Sequence, residues 1–316
     1  MIDPAGRLAL AVDVGGTKMA AGIVDRHGVI LAGSRVPTAG DAEQLFASLM
    51  GLVDEVMDGA AAQVVVCGVG CGGPMTGHGE LVSPLNISGW RDFPLRDRLA
   101  EALGLPAFVD NDAKALALAE GWVGAARGES DYLAMVVSTG VGAGIVCDGR
   151  LLDGAEGNAG HLGHVTVEPD GRRCGCGARG CLEAEASGTA IAAITGAPAR
   201  EASASVRRRT GTMVGRAVAG AVTLLDLRLA CVAGSVALGF GDDFFDAAQA
   251  EIDERARLGF ARGAIIRPAG CGADGPLIGA AAVGWRGLGE ELPGSSGTRS
   301  ARTRSARTDE VRRASR

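Results

Sequence analysis

A chain of 316 residues with 47% hydrophobic content buries a sizeable core, and at about 100–200 residues per domain it reads as two domains. Its net charge of −6 argues against nonspecific nucleic-acid binding by the body of the protein. The N-terminus lacks the basic and apolar regions of a signal peptide, and no apolar run approaches the roughly 18–20 residues of a membrane helix, so a soluble cytoplasmic protein is expected.

The chain holds 51 glycines but only seven Phe, three Trp and one Tyr, which implies many tight turns and a core of Ala, Val, Leu and Ile. Leu8–Val14 and Met19–Val24 read as a β-hairpin joined through Asp13-Val-Gly15-Gly16-Thr17-Lys18, with a third strand over Val29–Val36. Helical spacing of Leu45, Leu49, Leu52, Val53 and Val56 predicts a helix over Ala42–Gly59 with Asp41 as N-cap, followed by a buried strand over Val64–Val69. A short strand meets Asp110-Asn111-Asp112, and Ala113–Trp122 is helical. Tyr132–Val137 ends in Ser138-Thr139-Gly140-Val-Gly142, and Ile145–Cys147 returns to the Asp148-Gly149 turn. This second strand, glycine-turn, strand unit lies about 125 residues after the first and suggests two similar lobes facing each other. A strand over Leu227–Val232 leads to the Gly234-Ser235 turn, then a helix (Asp242–Leu258), a strand (Ala264–Ile266) and a helix (Gly275–Trp285). From Pro293 onward seven arginines and a lack of apolar periodicity predict a disordered basic tail, read as a solvated extension.

Glycine turns let anionic oxygens approach consecutive backbone N–H groups. The P-loop pattern is missing, and Gly68-Val-Gly70-Cys-Gly-Gly73 leads into Pro74 and a polar loop where a dinucleotide fold needs a helix. The turns at Gly15–Lys18 and Thr139–Gly142 remain, and as an opposed pair they could grip one polyphosphate between two lobes. At Asp110-Asn111-Asp112, helix capping accounts for one polar side chain and leaves a carboxylate able to accept the proton of an attacking hydroxyl. Eight cysteines are too sparse for a disulfide scaffold. Cys67, Cys71, Cys147, Cys231 and Cys271 read as small core residues. Cys174, Cys176 and Cys181 form C-x-C-x4-C, the donor set of a closed tetrahedral zinc site whose fourth ligand is His161 or His164.

Together these segments resemble the ROK group of sugar kinases and repressors over about Leu8 to Leu288. DVGGTK is similar to the family's first phosphate motif, STGVGAGI to its second, VAGSVA to a weakened adenosine-side turn, VDNDA to the segment of the catalytic aspartate, and the stretch from Gly154 to Glu183 to the signature joining sugar pocket and zinc. The resemblance implies an α/β, two-lobed actin-like ATPase (ribonuclease H-like) fold with a structural zinc loop. The lobes would be residues 1–113 and 114–292, with the helix at 275–288 folding back on the first lobe and 293–316 as the tail.

It implies ATP-dependent phosphorylation of a hexose or N-acetylhexosamine, usually at the 6-hydroxyl, with Asp112 as base and glucose as the leading substrate. Asp13 would lie near Mg²⁺. Gly15, Gly16, Thr17, Lys18, Thr139, Gly140 and Gly142 would hold the ATP phosphates, and Gly234 and Ser235 the adenosine side. Asn86, Asn111, His164 and Glu183 would bind sugar hydroxyls, and His164, Cys174, Cys176 and Cys181 would bind zinc. One departure stands out: where the family's kinases usually carry a sugar-binding glutamate, this chain has His161, which accepts fewer hydrogen bonds and would alter sugar preference. A catalytically weak sugar-binding or regulatory paralogue is the alternative. Only about seven residues precede the first strand, too few for the DNA-binding domain of the family's repressors. A homodimer or homotetramer is implied by resemblance.

Overall fold

The computed structural model describes residues 6–292, so the expected basic tail at 293–316 lies outside the described residues. Apolar strands β1 (Leu8–Val14) and β2 (Lys18–Val24) form the expected hairpin, and β3 (Ile30–Pro37) continues it antiparallel. Helix α1 (Ala42–Met57) starts at a capping box: Asp41 accepts from Glu43 N and Gln44 N, and the Gln44 side chain accepts from Asp41 N. It ends two residues earlier than its periodicity suggests. Strand β4 (Val64–Cys71) follows, then the two-residue hairpin strands β5 (Met75–Thr76) and β6 (Leu81–Val82), helix α2 (Leu95–Leu103), strand β7 (Ala107–Asn111) and helix α3 (Asp112–Trp122). The first sheet has the order β3-β2-β1-β4-β7, with β1, β4 and β7 parallel.

The second sheet repeats this layout. Antiparallel β8 (Tyr132–Val137) and β9 (Val141–Cys147) carry the short β10 (Arg150–Leu151) at one edge. Helices α4 (Leu182–Ala186), α5 (Gly188–Thr195) and α6 (Ala204–Leu225) precede β11 (Leu229–Ala233), and α7 (Ser235–Phe240) and α8 (Asp242–Arg255) precede β12 (Ile265–Pro268). The sheet order is β10-β9-β8-β11-β12.

Helix α9 (Gly275–Gly287) closes the chain and packs on β1, β4 and β7 of the first sheet and on α3. The helix backbone comes so close that a Cβ on Gly68 would lie 2.0 Å from the Ala280 carbonyl oxygen, so Gly68 serves helix–sheet packing. Helix α3 also packs on β8 and β9 of the second sheet, so this one helix touches both sheets. It spans the boundary expected at 113/114. The strand expected from Leu227 begins at Leu229 because α6, which the sequence reading missed, runs to Leu225 and turns through Asp226 in a left-handed conformation (φ 53°). No helix among the described residues is long and apolar enough to cross a membrane.

Candidate active site

Three consecutive polar residues end strand β7 and begin helix α3, and the fold gives each a different environment. Asp110 is turned into an ion cluster, 2.8 Å from Lys114 Nζ and 3.5 Å from Arg286. Asn111 caps α3, its side-chain oxygen accepting from Ala113 N at 3.0 Å. Asp112 makes no ion pair among the described residues; its carboxylate accepts from Ala113 N at 2.8 Å and lines a cavity of about 160 Å³ between the two sheets. Asp112 is exposed, where Asp110 before it and Ala113 after it are buried. Desolvation pushes the Asp112 carboxyl above the usual carboxylate range, against the backbone donor of Ala113. A carboxylate displaced in this direction is a better proton acceptor near neutral pH.

Asp13 stands beside it. Strand register places Asp13 opposite Gly70, and Gly70 opposite Asp110. A Cβ on Gly70 would sit 3.7 Å from Asp112 Cα and 3.9 Å from Asp13 Oδ1, so Gly70 adjoins both acids. Burial, then the Asp112 charge, push Asp13 up to about 7, with Lys18 pulling the other way. Such a pair suits a divalent cation or a shared proton.

The two glycine turns face the same cavity. Gly15 N donates to Lys18 O at 3.0 Å to close the first, and Gly15 and Gly16 line the cleft. Gly16 abuts Asn86 so closely that a Cβ would lie 2.5 Å from that of Asn86. Ser138 N donates to Gly140 O at 3.0 Å to close the second, and Gly140 and Gly142 line the cleft from the opposite lobe. Glu183 braces this turn by accepting from Val141 N at 2.9 Å. Thr139 lines an adjoining chamber of about 370 Å³ that shares Asn86, Gly140 and Glu183 with the first cavity. Thr17 and Lys18 are exposed and do not line the cavity. Gly234 and Ser235 do not line it either, but the Ser235 hydroxyl lies 3.1 Å from that of Ser138, against the second turn. Gly234 (φ 102°) approaches strand β8 so nearly that a Cβ would be 2.3 Å from Val137 O.

The remaining wall carries Asn86, Asn111, His161, His164 and Glu183. His161 holds its proton weakly: burial comes first, then the His164 charge, only partly opposed by Asp112 and Glu183. Asn158 also lines the wall and is tied by its amide to Met75 O at 3.0 Å. The sequence reading passed it over, although it stands in the same glycine-rich stretch as His161.

His164 is shared with a second constellation. The ligand atoms of His164, Cys174, Cys176 and Cys181 lie within 4.8 Å of one another. His164 Nδ1 is 3.6 Å from Cys174 Sγ, and Cys176 Sγ is 3.7 Å from Cys181 Sγ. Tetrahedral bonds of about 2.3 Å to sulfur and about 2.0 Å to nitrogen place sulfurs about 3.8 Å apart and sulfur and nitrogen about 3.5 Å apart. The donor set therefore fits a tetrahedral ion with no open position. The loop that carries it is anchored by buried Glu185, which accepts from Arg172 N at 2.6 Å and Arg209 Nη2 at 2.5 Å. Gly180 (φ 73°) presses against Glu168 O, where a Cβ would lie 1.7 Å away.

A sequence profile of the ROK family matches residues 9–285. The chain is 41% identical over 186 residues to the glucokinase of Thermotoga maritima, a match covering 58% of this chain and 58% of that protein. It is 36% identical over 250 residues to the N-acetylmannosamine kinase of Citrobacter koseri, covering 73% of this chain and 84% of that protein. The structure of a ROK family glucokinase from Streptomyces griseus in complex with glucose and AMPPNP superposes with a TM-score of 0.77 at 31% identity, over 88% of this chain and 99% of that one.

Proposed function

The chain belongs to the ROK family, and we propose that it is an ATP-dependent sugar kinase, transferring the γ-phosphoryl group to the 6-hydroxyl of glucose or of a related hexose or N-acetylhexosamine. The observation that carries this reading is Asp112: a carboxylate with no ion pair among the described residues, facing a cavity bounded by two opposed glycine turns.

In this reading Asp112 accepts the proton of the sugar hydroxyl as its oxygen bonds to the γ-phosphorus and the bond to ADP breaks. The N–H groups of the turns at Gly15–Gly16 and Gly140–Gly142 hold the phosphates from opposite lobes. The adjoining chamber beside Thr139 takes the rest of the nucleotide, with Gly234 and Ser235 behind it. Mg²⁺, when bound beside Asp13, supplies charge neutralisation to the phosphates. Asn86, Asn111, His161, His164 and Glu183 bind and orient the sugar, and orientation of this kind supplies much of the rate.

His164, Cys174, Cys176 and Cys181 would hold zinc, and that ion would be structural, since four protein ligands leave no position for water. His164 Nδ1 lies on the Cys174 side, so with Nδ1 given to the metal Nε2 would be left for the pocket. A reducing, cytoplasmic setting keeps the three thiolates available to the metal, and a homodimer or homotetramer accompanies the reading by family resemblance. Incubation of purified protein with Mg-ATP and a panel of hexoses and aminosugars tests it: sugar phosphate and ADP are expected in equal amounts.

A further inference from the structure

Resting on the sugar-kinase reading, we infer that Lys114 is a positioning residue, which locks the segment carrying Asn158 and His161 to the helix that begins at Asp112. Lys114 is 1% exposed. It lies two residues beyond Asp112 on α3, and residues two apart point to different sides of a helix. Asp112 faces the reaction cavity, and Lys114 faces away from it.

The Lys114 ammonium lies 2.8 Å from Asp110 Oδ1 and 3.0 Å from Asp153 Oδ1, and donates to Gly157 O at 3.1 Å. Three acceptors use all three N–H bonds of an ammonium, so the group has no capacity left for a ligand. Arg286 closes the ring at 2.5 Å from Asp153 Oδ2 and 3.5 Å from Asp110 Oδ2. Two cations thus balance two carboxylates, and the cluster joins β7, α3, α9 and the segment that follows β10.

That segment runs from Asp153 to His161 and is held at successive points. Ala159 N donates to Asp153 O at 2.9 Å, and the Asn158 amide donates to Met75 O. Gly160 (φ 101°) presses on β9, where a Cβ would lie 2.2 Å from Ala143 O. Lys114 supplies the tie to α3 at Asp153 and Gly157, and so fixes His161 and Asn158 relative to Asp112. A buried ion cluster is weak as a source of stability, because apolar replacements of similar volume are often neutral or better. Its three-way geometry here specifies position.

The test uses the full chain with Lys114→Met, Lys114→Arg and Asp153→Asn, reading sugar KM, ATP KM, kcat and hydrogen exchange of residues 152–161. Small misplacements of reacting groups cost up to about 100-fold. Lys114→Met and Asp153→Asn are therefore expected to raise sugar KM about tenfold or more, leave ATP KM within about twofold, and speed exchange in the segment. Lys114→Arg keeps the charge but not the compact three-donor geometry, and its sugar KM should fall between wild type and Lys114→Met. Asp153→Asn keeps the Lys114–Asp110 pair and serves if Lys114→Met does not fold. Sugar KM within about twofold of wild type in every variant that folds overturns the inference. If the wild-type chain phosphorylates no sugar, the kinase reading fails on its own; exchange then decides the positioning role, faster exchange supporting it and unchanged exchange overturning it.

Discussion

Asp13 and Asp112 both border Gly70, a Cβ there falling 3.9 Å from Asp13 Oδ1 and 3.7 Å from Asp112 Cα, and of the two acids it is Asp112 that lines the cleft. Their proximity adds to burial in raising Asp13 from 3.8 to about 7. An acid whose folded-state pKa is raised stabilises the fold fully below its unfolded value, and that contribution is lost as pH rises through the folded value. For Asp13 the window runs from 3.8 to about 7, and the shift corresponds to at most roughly 4 kcal/mol. Asp13→Asn removes the charge and should raise Tm above about pH 7 in magnesium-free buffer while changing it little near pH 4. A Tm difference that does not grow with pH would contradict the pairing. Phosphoryl transfer should fall in the same variant.

Asp112→Asn retains the size and hydrogen-bonding shape of the side chain but cannot take a proton. General-base catalysis contributes about 10²–10⁴-fold, and kcat should fall by that order with sugar Kd within about threefold of wild type. Calorimetric titration of sugar and a coupled ADP assay separate the two quantities. Turnover above about a tenth of wild type would remove Asp112 from the role of base. Because the wild-type carboxyl is raised by desolvation, activity should also decline as pH falls into the carboxylate range sooner than a fully solvated aspartate would dictate.

Cys176→Ser tests the metal site through the one thiol of the three that is exposed. Loss of one thiolate weakens metal binding, and metal binding of this kind is coupled to folding. Elemental analysis should give one zinc per wild-type chain and well below one in the variant, with a lower Tm and reduced activity, since His164 and Glu183 flank the same loop. Wild-type protein purified without chelators and free of zinc would refute the assignment.

His161→Glu places a carboxylate in the wall beside His164 and Glu183. A carboxylate accepts several hydrogen bonds where a neutral imidazole accepts one, so KM for glucose is expected to fall by about three- to tenfold relative to N-acetylated sugars. Equal KM ratios across the panel in both forms would show that residue 161 does not set sugar preference. A wild type that binds sugar without turnover would point to the catalytically weak paralogue instead.

Much of the frame was legible from local pattern, because its information is local. Alternating glycine turns and apolar runs announced both hairpins, and C-x-C-x4-C announced the cluster of three thiols that His164 joins. The choice among Asp110, Asn111 and Asp112 was open to motif resemblance but not to spacing, since only the fold shows Lys114 neutralising the first, helix capping using the second and the cavity receiving the third. Long-range packing was the least legible. The glycines of Gly68–Gly73 are set aside as a dinucleotide motif by the Pro74 that follows, but what Gly68 does instead shows only when α9, far along the chain, is seen lying on it. Helix α6 was missed because arginines and glycines interrupt its apolar stripe, and much of its burial comes from α8, a helix legible by itself but whose pairing with α6 no local signal gives. The cluster of Lys114, Asp153 and Arg286 was hidden for the same reason: its members are far apart in sequence.

The most direct test is a phosphoryl-transfer assay with Mg-ATP over hexoses and N-acetylhexosamines, run in parallel on wild type and Asp112→Asn. Stoichiometric sugar phosphate and ADP from the wild type, with near-complete loss in the variant, is the predicted result. No phosphoryl transfer to any sugar by folded, zinc-loaded wild-type protein, or equal transfer by both proteins, would contradict it.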